Sequence, residues 1–72
     1  MSENENFIKL GNRIKFLRKN KGFSQSELAN NINKDQQSIQ RLEKGRINPS
    51  FEYLLQVAKG LDVKISVILE EF

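Results

Sequence analysis

Ser24-Gln25-Ser26-Glu27-Leu28-Ala29-Asn30-Asn31-Ile32-Asn33-Lys34-Asp35-Gln36-Gln37-Ser38-Ile39-Gln40-Arg41-Leu42-Glu43-Lys44-Gly45 holds two short helical patterns around a turn. Ser24 followed three residues later by Glu27 is a capping-box pattern. It opens a helix from Gln25 to Asn31 that offers Leu28, Ala29 and Ile32 to a core. Asn31-Ile32-Asn33-Lys34 reads as the turn, because Asn33 is among the few residue types besides glycine that tolerate a positive φ. Asp35 is a second N-cap and starts a helix from Gln36 to Lys44, with Ile39 and Leu42 inward and Gly45 closing it. Two short helices joined by a turn of about three or four residues form a helix-turn-helix. Ala29 is small where the helices must approach, and Leu28, Ile32, Ile39 and Leu42 fix their angle. Residues 25–44 are therefore the helix-turn-helix unit.

The flanks continue the helical pattern. Leu10, Ile14 and Leu17 line one face of a helix from about Phe7 to Asn20, which Lys21-Gly22 ends. Downstream, Asn48-Pro49-Ser50 is a loop and cap before a helix over Phe51–Lys59, with Leu54, Leu55 and Ala58 on one side. Gly60 to Val63 is a further turn, and Lys64–Glu71 a last short helix. Strand competes for Val63–Leu69, which is β-branched and partly alternating. Leu61, Val63, Ile65, Ile68 and Leu69 complete the expected core, and the aromatics Phe7, Phe16, Phe23, Phe51 and Tyr53 fall mostly on or near core stripes. The fold expected is an all-α, five-helix bundle over residues 7–72, preceded by a flexible arm at 1–6. At 72 residues a two-domain division would leave halves too small to hold a core.

Composition narrows the chemistry. There is no cysteine and no histidine, which removes disulfides, thiolate nucleophiles, most metal sites and the usual general base. Ser24, Ser38, Tyr53 and the carboxylates are accompanied by no base–nucleophile set and no phosphate-cradling glycine loop, so no enzyme is expected. The start, Met1-Ser2-Glu3-Asn4-Glu5-Asn6, is acidic and polar, and the longest apolar runs are three residues, as in Val67-Ile68-Leu69. A cytoplasmic protein without membrane contact is the expectation. Charge is unevenly placed: residues 9–46 carry ten Lys/Arg against Glu27, Asp35 and Glu43, a net of +7, while each flank carries −2. A basic middle suggests a face for a polyanion, although a lysine-rich solvated surface has the same composition.

The second helix of a helix-turn-helix enters the DNA major groove with its first residues against base edges. Here those are Gln36 and Gln37, with Gln40 and Arg41 one turn on. Glutamine bonds bidentately to adenine and arginine to guanine, each pairing worth about 1–3 kcal/mol of discrimination. The bland alternative is a solvated polar face.

Ser24-Gln25-x-x-Leu28-Ala29 followed by Gln36-Gln37-Ser38-Ile39-x-x-Leu42-Glu43-x-Gly45 resembles the phage repressor and Cro-type (XRE) helix-turn-helix family. The resemblance covers about residues 7–70. It implies a lambda-repressor-like five-helix DNA-binding domain that acts as a homodimer on a near-palindromic operator, as a repressor or a restriction-modification or phage-type controller. By position, Gln36, Gln37 and Arg41 would read bases, with Gln40 beside them. Arg41 departs from the glutamine of the most similar lambdoid repressors, so its preferred base pair is open. Ser24 and Gln25 would hold phosphates on one side, and Lys44, Arg46 and Asn48 on the other. Ser38 would do so or support the first helical turn. Arg18 and Glu43 resemble the family's internal ion pair. The dimer contact would lie near the last helix, where Val67 and Phe72 are the candidates. Arg13, Lys15, Lys19 and Lys21 have no motif behind them and read as solvated surface. No cofactor, metal or small-molecule effector is implied. A protein-interaction module on the same fold, antitoxin-like or polymerase-binding, is the alternative reading.

Overall fold

The capping signals are realised where the sequence places them. In a computed structural model describing residues 5–70 and Phe72, five helices follow in order: α1 (Glu5–Asn20), α2 (Gln25–Asn31), α3 (Gln36–Glu43), α4 (Phe51–Leu61) and α5 (Ile65–Ile68). Ser24 and Glu27 close a reciprocal capping box, Glu27 N–H donating to Ser24 Oγ at 3.0 Å and Ser24 N–H to Glu27 Oε1 at 2.7 Å. Asp35 Oδ1 accepts from Ser38 N–H at 2.8 Å, and Ser50 Oγ accepts from Tyr53 N–H at 3.0 Å. Each cap satisfies a backbone donor that the helix itself leaves unpaired. Asn33 takes the left-handed conformation of the turn, with φ 58°.

Several boundaries move. Helix α1 begins at Glu5, so two residues of the expected arm are helical, and residues 1–4 lie outside the described part. Helix α3 ends at Glu43 with Lys44 as C-cap, and Gly45 at φ 72° turns the chain away. There a side chain is doubly excluded, because a Cβ would also stand 2.7 Å from Ile8. Helix α4 runs to Leu61 rather than Lys59, two residues into the expected turn, and Asp62 adopts the left-handed C-cap, φ 60°. The strand alternative for Val63–Leu69 is corrected to a helix over Ile65–Ile68, shorter than the expected span to Glu71, which itself lies outside the described residues.

Helix α2 packs across α3, α1 lies against α3 and α5, and α4 against α2 and α5. Ile14, Leu28, Ile39, Leu42, Val57, Leu61 and Ile68 are fully enclosed between them. Val57 is in this core and Leu55 is not, since α4 buries the stripe Leu54, Val57, Ala58 and Leu61. Leu69, Phe16 and Phe51, expected on or near the core, are likewise exposed, while Ile32, Val63 and Ile65 pack at its margin. The close fit of α1 on the end of α3 depends on Gly11. A Cβ there would come within 2.5 Å of the Leu42 and Glu43 carbonyl oxygens.

Candidate nucleic-acid interface

Helix α3 divides sharply between its two sides. Ile39, Leu42 and Glu43 are buried, whereas Gln36, Gln37, Gln40, Arg41 and Lys44 are exposed. At 100° per residue these five positions fall within roughly 140° of arc. The loop after Gly45 brings Arg46 alongside, and Gln37, Gln40, Arg41, Lys44 and Arg46 together line a shallow cleft of about 190 Å³. Three predicted base readers and two predicted phosphate holders thus share one surface. Asn48 is exposed in the same loop but does not line that cleft.

Beneath this surface runs a polar chain that starts in the core. Arg18 and Glu43 are both buried and pair bidentately, Nε to Oε2 at 2.6 Å and Nη2 to Oε1 at 3.1 Å. Arg18 Nη1 also donates to the Phe23 carbonyl at 2.8 Å. Gln25 Nε2 donates to Glu43 Oε1 at 3.0 Å, and Gln25 Oε1 accepts from Gln36 Nε2 at 3.5 Å. Ser26 Oγ donates to Gln36 Oε1 at 2.8 Å. The guanidinium and carboxylate are therefore satisfied from several sides, which a buried pair requires. The Gln36 amide is held at both ends, with one N–H and one lone pair left over. By contrast, no hydrogen bond among the described residues engages the side chains of Gln37, Gln40, Arg41, Lys44 or Arg46.

The remaining expected residues divide. Ser24 Oγ is an acceptor in the capping box, and its own hydroxyl proton remains available. Ser38 is half-buried, and its N–H donates to Asp35 Oδ1 at 2.8 Å, so it supports the first turn of α3. Hydrogen bonding from Ser38, backbone first, holds the Asp35 carboxyl below its ordinary pKa, with smaller help from Arg41 and Lys34. Val67 is half-buried against the core, and Phe72 is exposed with Lys9 Nζ 5.0 Å from its ring centre.

Two contributors carried no sequence signal. Arg13, read as solvated surface, instead joins α1 to the end of α5: Nε and Nη2 donate to the Val67 carbonyl at 3.1 and 3.0 Å, and Nη2 to Glu70 at 2.7 Å. Its partners lie more than fifty residues away, so no local spacing reveals them. Ser26 meets Gln36 only because the turn folds α2 back on α3. Tyr53 packs beneath Lys34, 5.5 Å from its ring centre, and burial followed by the Asp35 charge raises its phenol pKa above the ordinary value. Among the described residues no cluster of three metal-ligating side chains occurs, and no helix is long and apolar enough to cross a membrane.

Comparison with known proteins bears on this geometry. A helix-turn-helix family model matches residues 14–68. Over 63 residues the chain is 38% identical to the HTH-type transcriptional regulator SinR of Bacillus subtilis (strain 168), covering 86% of this chain and 57% of that protein. It is 36% identical over 62 residues to the immunity repressor protein of Bacillus phage phi105, covering 86% of this chain and 43% of that one. The chain thus spans about half the length of these curated relatives. The crystal structure of the restriction-modification controller protein C.AhdI from Aeromonas hydrophila matches with a TM-score of 0.85 at 32% identity, over 88% of this chain and 96% of that one. The clp gene regulator ClgR from C. glutamicum matches with a TM-score of 0.83 at 30% identity, over 88% and 82%.

Proposed function

The chain belongs to the XRE-type helix-turn-helix family of transcriptional regulators, and on that premise we propose that it binds a near-palindromic operator in double-stranded DNA as a homodimer and represses transcription from it in the cytoplasm. The observation that carries this reading is the outer side of α3, where Gln37, Gln40, Arg41, Lys44 and Arg46 share one polar, basic surface and hold no protein partner among the described residues. In this reading Gln36, Gln37, Gln40 and Arg41 meet base edges in the major groove, Gln36 presented in a fixed orientation by Ser26 and Gln25. Lys44, Arg46 and Asn48 hold phosphates at one end, and Ser24 and Gln25 at the other. Ser38 supports the first turn of α3 through its backbone N–H, and its hydroxyl is the weaker phosphate contact. The names of the phage immunity repressor and of the restriction-modification controller support a controlling role of this kind.

One small module on one half-site binds weakly, which favours two copies acting together. For their contact we propose the apolar strip Phe51, Leu55 and Leu69 beside the last helix, since all three side chains are exposed and Val67 is turned partly into the core. Phe72 lies on another surface, by Lys9 of α1.

Selection from a randomised duplex pool at near-physiological salt, with each bound species sized in solution, tests the proposal. An inverted repeat held by two chains, with half-sites about 34 Å apart, is the expected result. Salt-sensitive binding without an enriched motif would overturn the operator reading. No duplex binding at any salt would transfer the chain to the protein-interaction alternative, for which the exposed apolar groove along α1 is the favouring observation.

A further inference from the structure

The six large hydrophobic side chains that remain exposed among the described residues form two groups. Phe51, Leu55 and Leu69 belong to α4 and the end of α5, where the operator-binding dimer was placed above. Ile8, Phe16 and Phe72 lie on or beside α1, and the DNA reading makes no use of them. Ile8 and Phe16 line an open groove of about 510 Å³ along α1. At 100° per residue, Glu5, Ile8, Asn12, Phe16 and Lys19 fall within about 80° of arc, centred roughly 100–120° from Gly11 and Arg18, which face α3, with Ile8 at the edge that meets Gly45. All five are exposed.

Their order is an acid, an apolar side chain, an amide, an apolar side chain and a base. Glu5 and Lys19 are each seven residues from Asn12, and Ile8 and Phe16 each four. A stripe of this kind is its own complement when a second copy runs antiparallel. Glu5 then meets Lys19, Ile8 meets Phe16, and Asn12 meets itself on the axis. A parallel arrangement would instead oppose Glu5 to Glu5 and Lys19 to Lys19. Of the cations that flank the stripe, Arg13 pairs with Glu70 at 2.7 Å and lies 5.7 Å from the Phe16 ring centre, Lys9 lies over Phe72, and Lys15 is exposed beside Ile8. The engagement of Arg13 and Lys9 reduces the repulsion two basic surfaces would otherwise feel.

We propose that the outer face of α1 is a self-association surface, pairing with α1 of a second copy in antiparallel fashion about a two-fold axis at Asn12. The contact is isologous and separate from the strip on α4 and α5. Its stripe is only about 21 Å long at 1.5 Å per residue, so its area falls in the class of weak, transient interfaces. Two such two-fold contacts on one chain would link dimer to dimer. The weaker one would be populated mainly where copies are already held close together, as on neighbouring stretches of DNA.

The absence of native cysteine gives a direct test that needs no DNA. Asn12→Cys places one thiol on the proposed axis, and the rate of disulfide-linked pair formation is compared with that of Asn30→Cys, an exposed position on α2. Cross-linking about tenfold faster for Asn12→Cys is expected, with the difference removed by adding Phe16→Glu. In the Asn12→Cys background, Glu5→Lys and Lys19→Glu should each slow the reaction, and the two together should restore it. Helical circular dichroism checks that every variant is folded. Equal rates at positions 12 and 30, or a charge exchange that fails to restore the rate, would overturn the proposal. Failure of the duplex selection would leave this result untouched, so the two readings fall separately.

Discussion

Removing the carboxylate of Glu43 should separate a buried ion pair from a decorative one. The Glu43 side chain is 2% exposed and that of Arg18 8%, so Glu43→Ala leaves a guanidinium in the interior with the Phe23 carbonyl as its one remaining acceptor among the described residues. Breaking a buried pair from one side costs about 3–5 kcal/mol, because the orphaned charge keeps its desolvation penalty. A domain of this length has about 4–10 kcal/mol in total. The variant should therefore lose between about a third and all of its stability. With an m-value of about 1 kcal/mol/M, its urea midpoint should fall by about 3–5 M, followed by circular dichroism. The paired replacement Arg18→Met with Glu43→Leu removes both charges and supplies apolar volume, so it should recover most of that loss. Because Gln25 then has no carboxylate to bond, the double variant should fold and yet bind DNA less well. A single variant that loses less than about 1 kcal/mol, the range of exposed pairs, would refute the reasoning. So would a double variant as unstable as the single one.

Gly11→Ala should destabilise by about 1–3 kcal/mol despite alanine's better helix propensity, because its Cβ meets two α3 carbonyl oxygens; a rise in thermal midpoint would contradict this packing. Gln37→Ala should relax selectivity at one base pair of each half-site, whereas Lys44→Ala should weaken all duplexes alike and lower the salt slope by about one per chain; titrations on matched and mismatched duplexes over a salt series distinguish the two, and equal losses on every sequence for Gln37→Ala would sink its base-reading role. The folded-state pKa of Asp35 is depressed, so its contribution is present above the unfolded value of about 4 and is lost as pH falls through the lower folded value. Asp35→Asn should accordingly flatten the acid limb of the urea midpoint against pH, and an unchanged limb would show that the cap is not what titrates. Ser26→Ala should leave the unfolding free energy within about 0.5 kcal/mol of the parent and reduce discrimination at the base pair facing Gln36, without changing the salt slope.

The parts of this fold that could be read in advance are those set by local chemistry. Ser24 with Glu27, and Asp35 before Gln36, specify the bounds of α2 and the start of α3 because a cap bonds a backbone donor two or three residues away. The face of α4 was harder, since Leu54, Leu55, Val57 and Ala58 are all apolar and the choice between stripes depends on which neighbours arrive. Val57 and Leu61 meet the rest of the core, which leaves Leu55 outside. Phe16 and Phe51 sit next to buried positions on their helices, and hydrophobicity alone does not say that they project past the core's edge. The α3 surface was legible in composition and spacing. What it rests on was less so: Ser26 and Arg13 act through contacts that only the folded chain creates.

This difference in support divides the proposed reading surface into two kinds of residue. Gln36 is fixed by Ser26 at 2.8 Å, and a longer contact of 3.5 Å to Gln25 connects it to the Arg18–Glu43 pair, so its orientation is set within the protein. Ordering it on DNA costs little, and a base that does not match its remaining donor and acceptor leaves buried polar groups unpaired. Gln37, Gln40 and Arg41 stand free and each must give up rotamer freedom on binding, about 0.5–1.5 kcal/mol apiece. Their contacts can adapt to neighbouring bases at that expense. Selectivity should then be steepest opposite Gln36, where the fold has already chosen the geometry, and broader along the turn that follows, where the DNA takes part in choosing it.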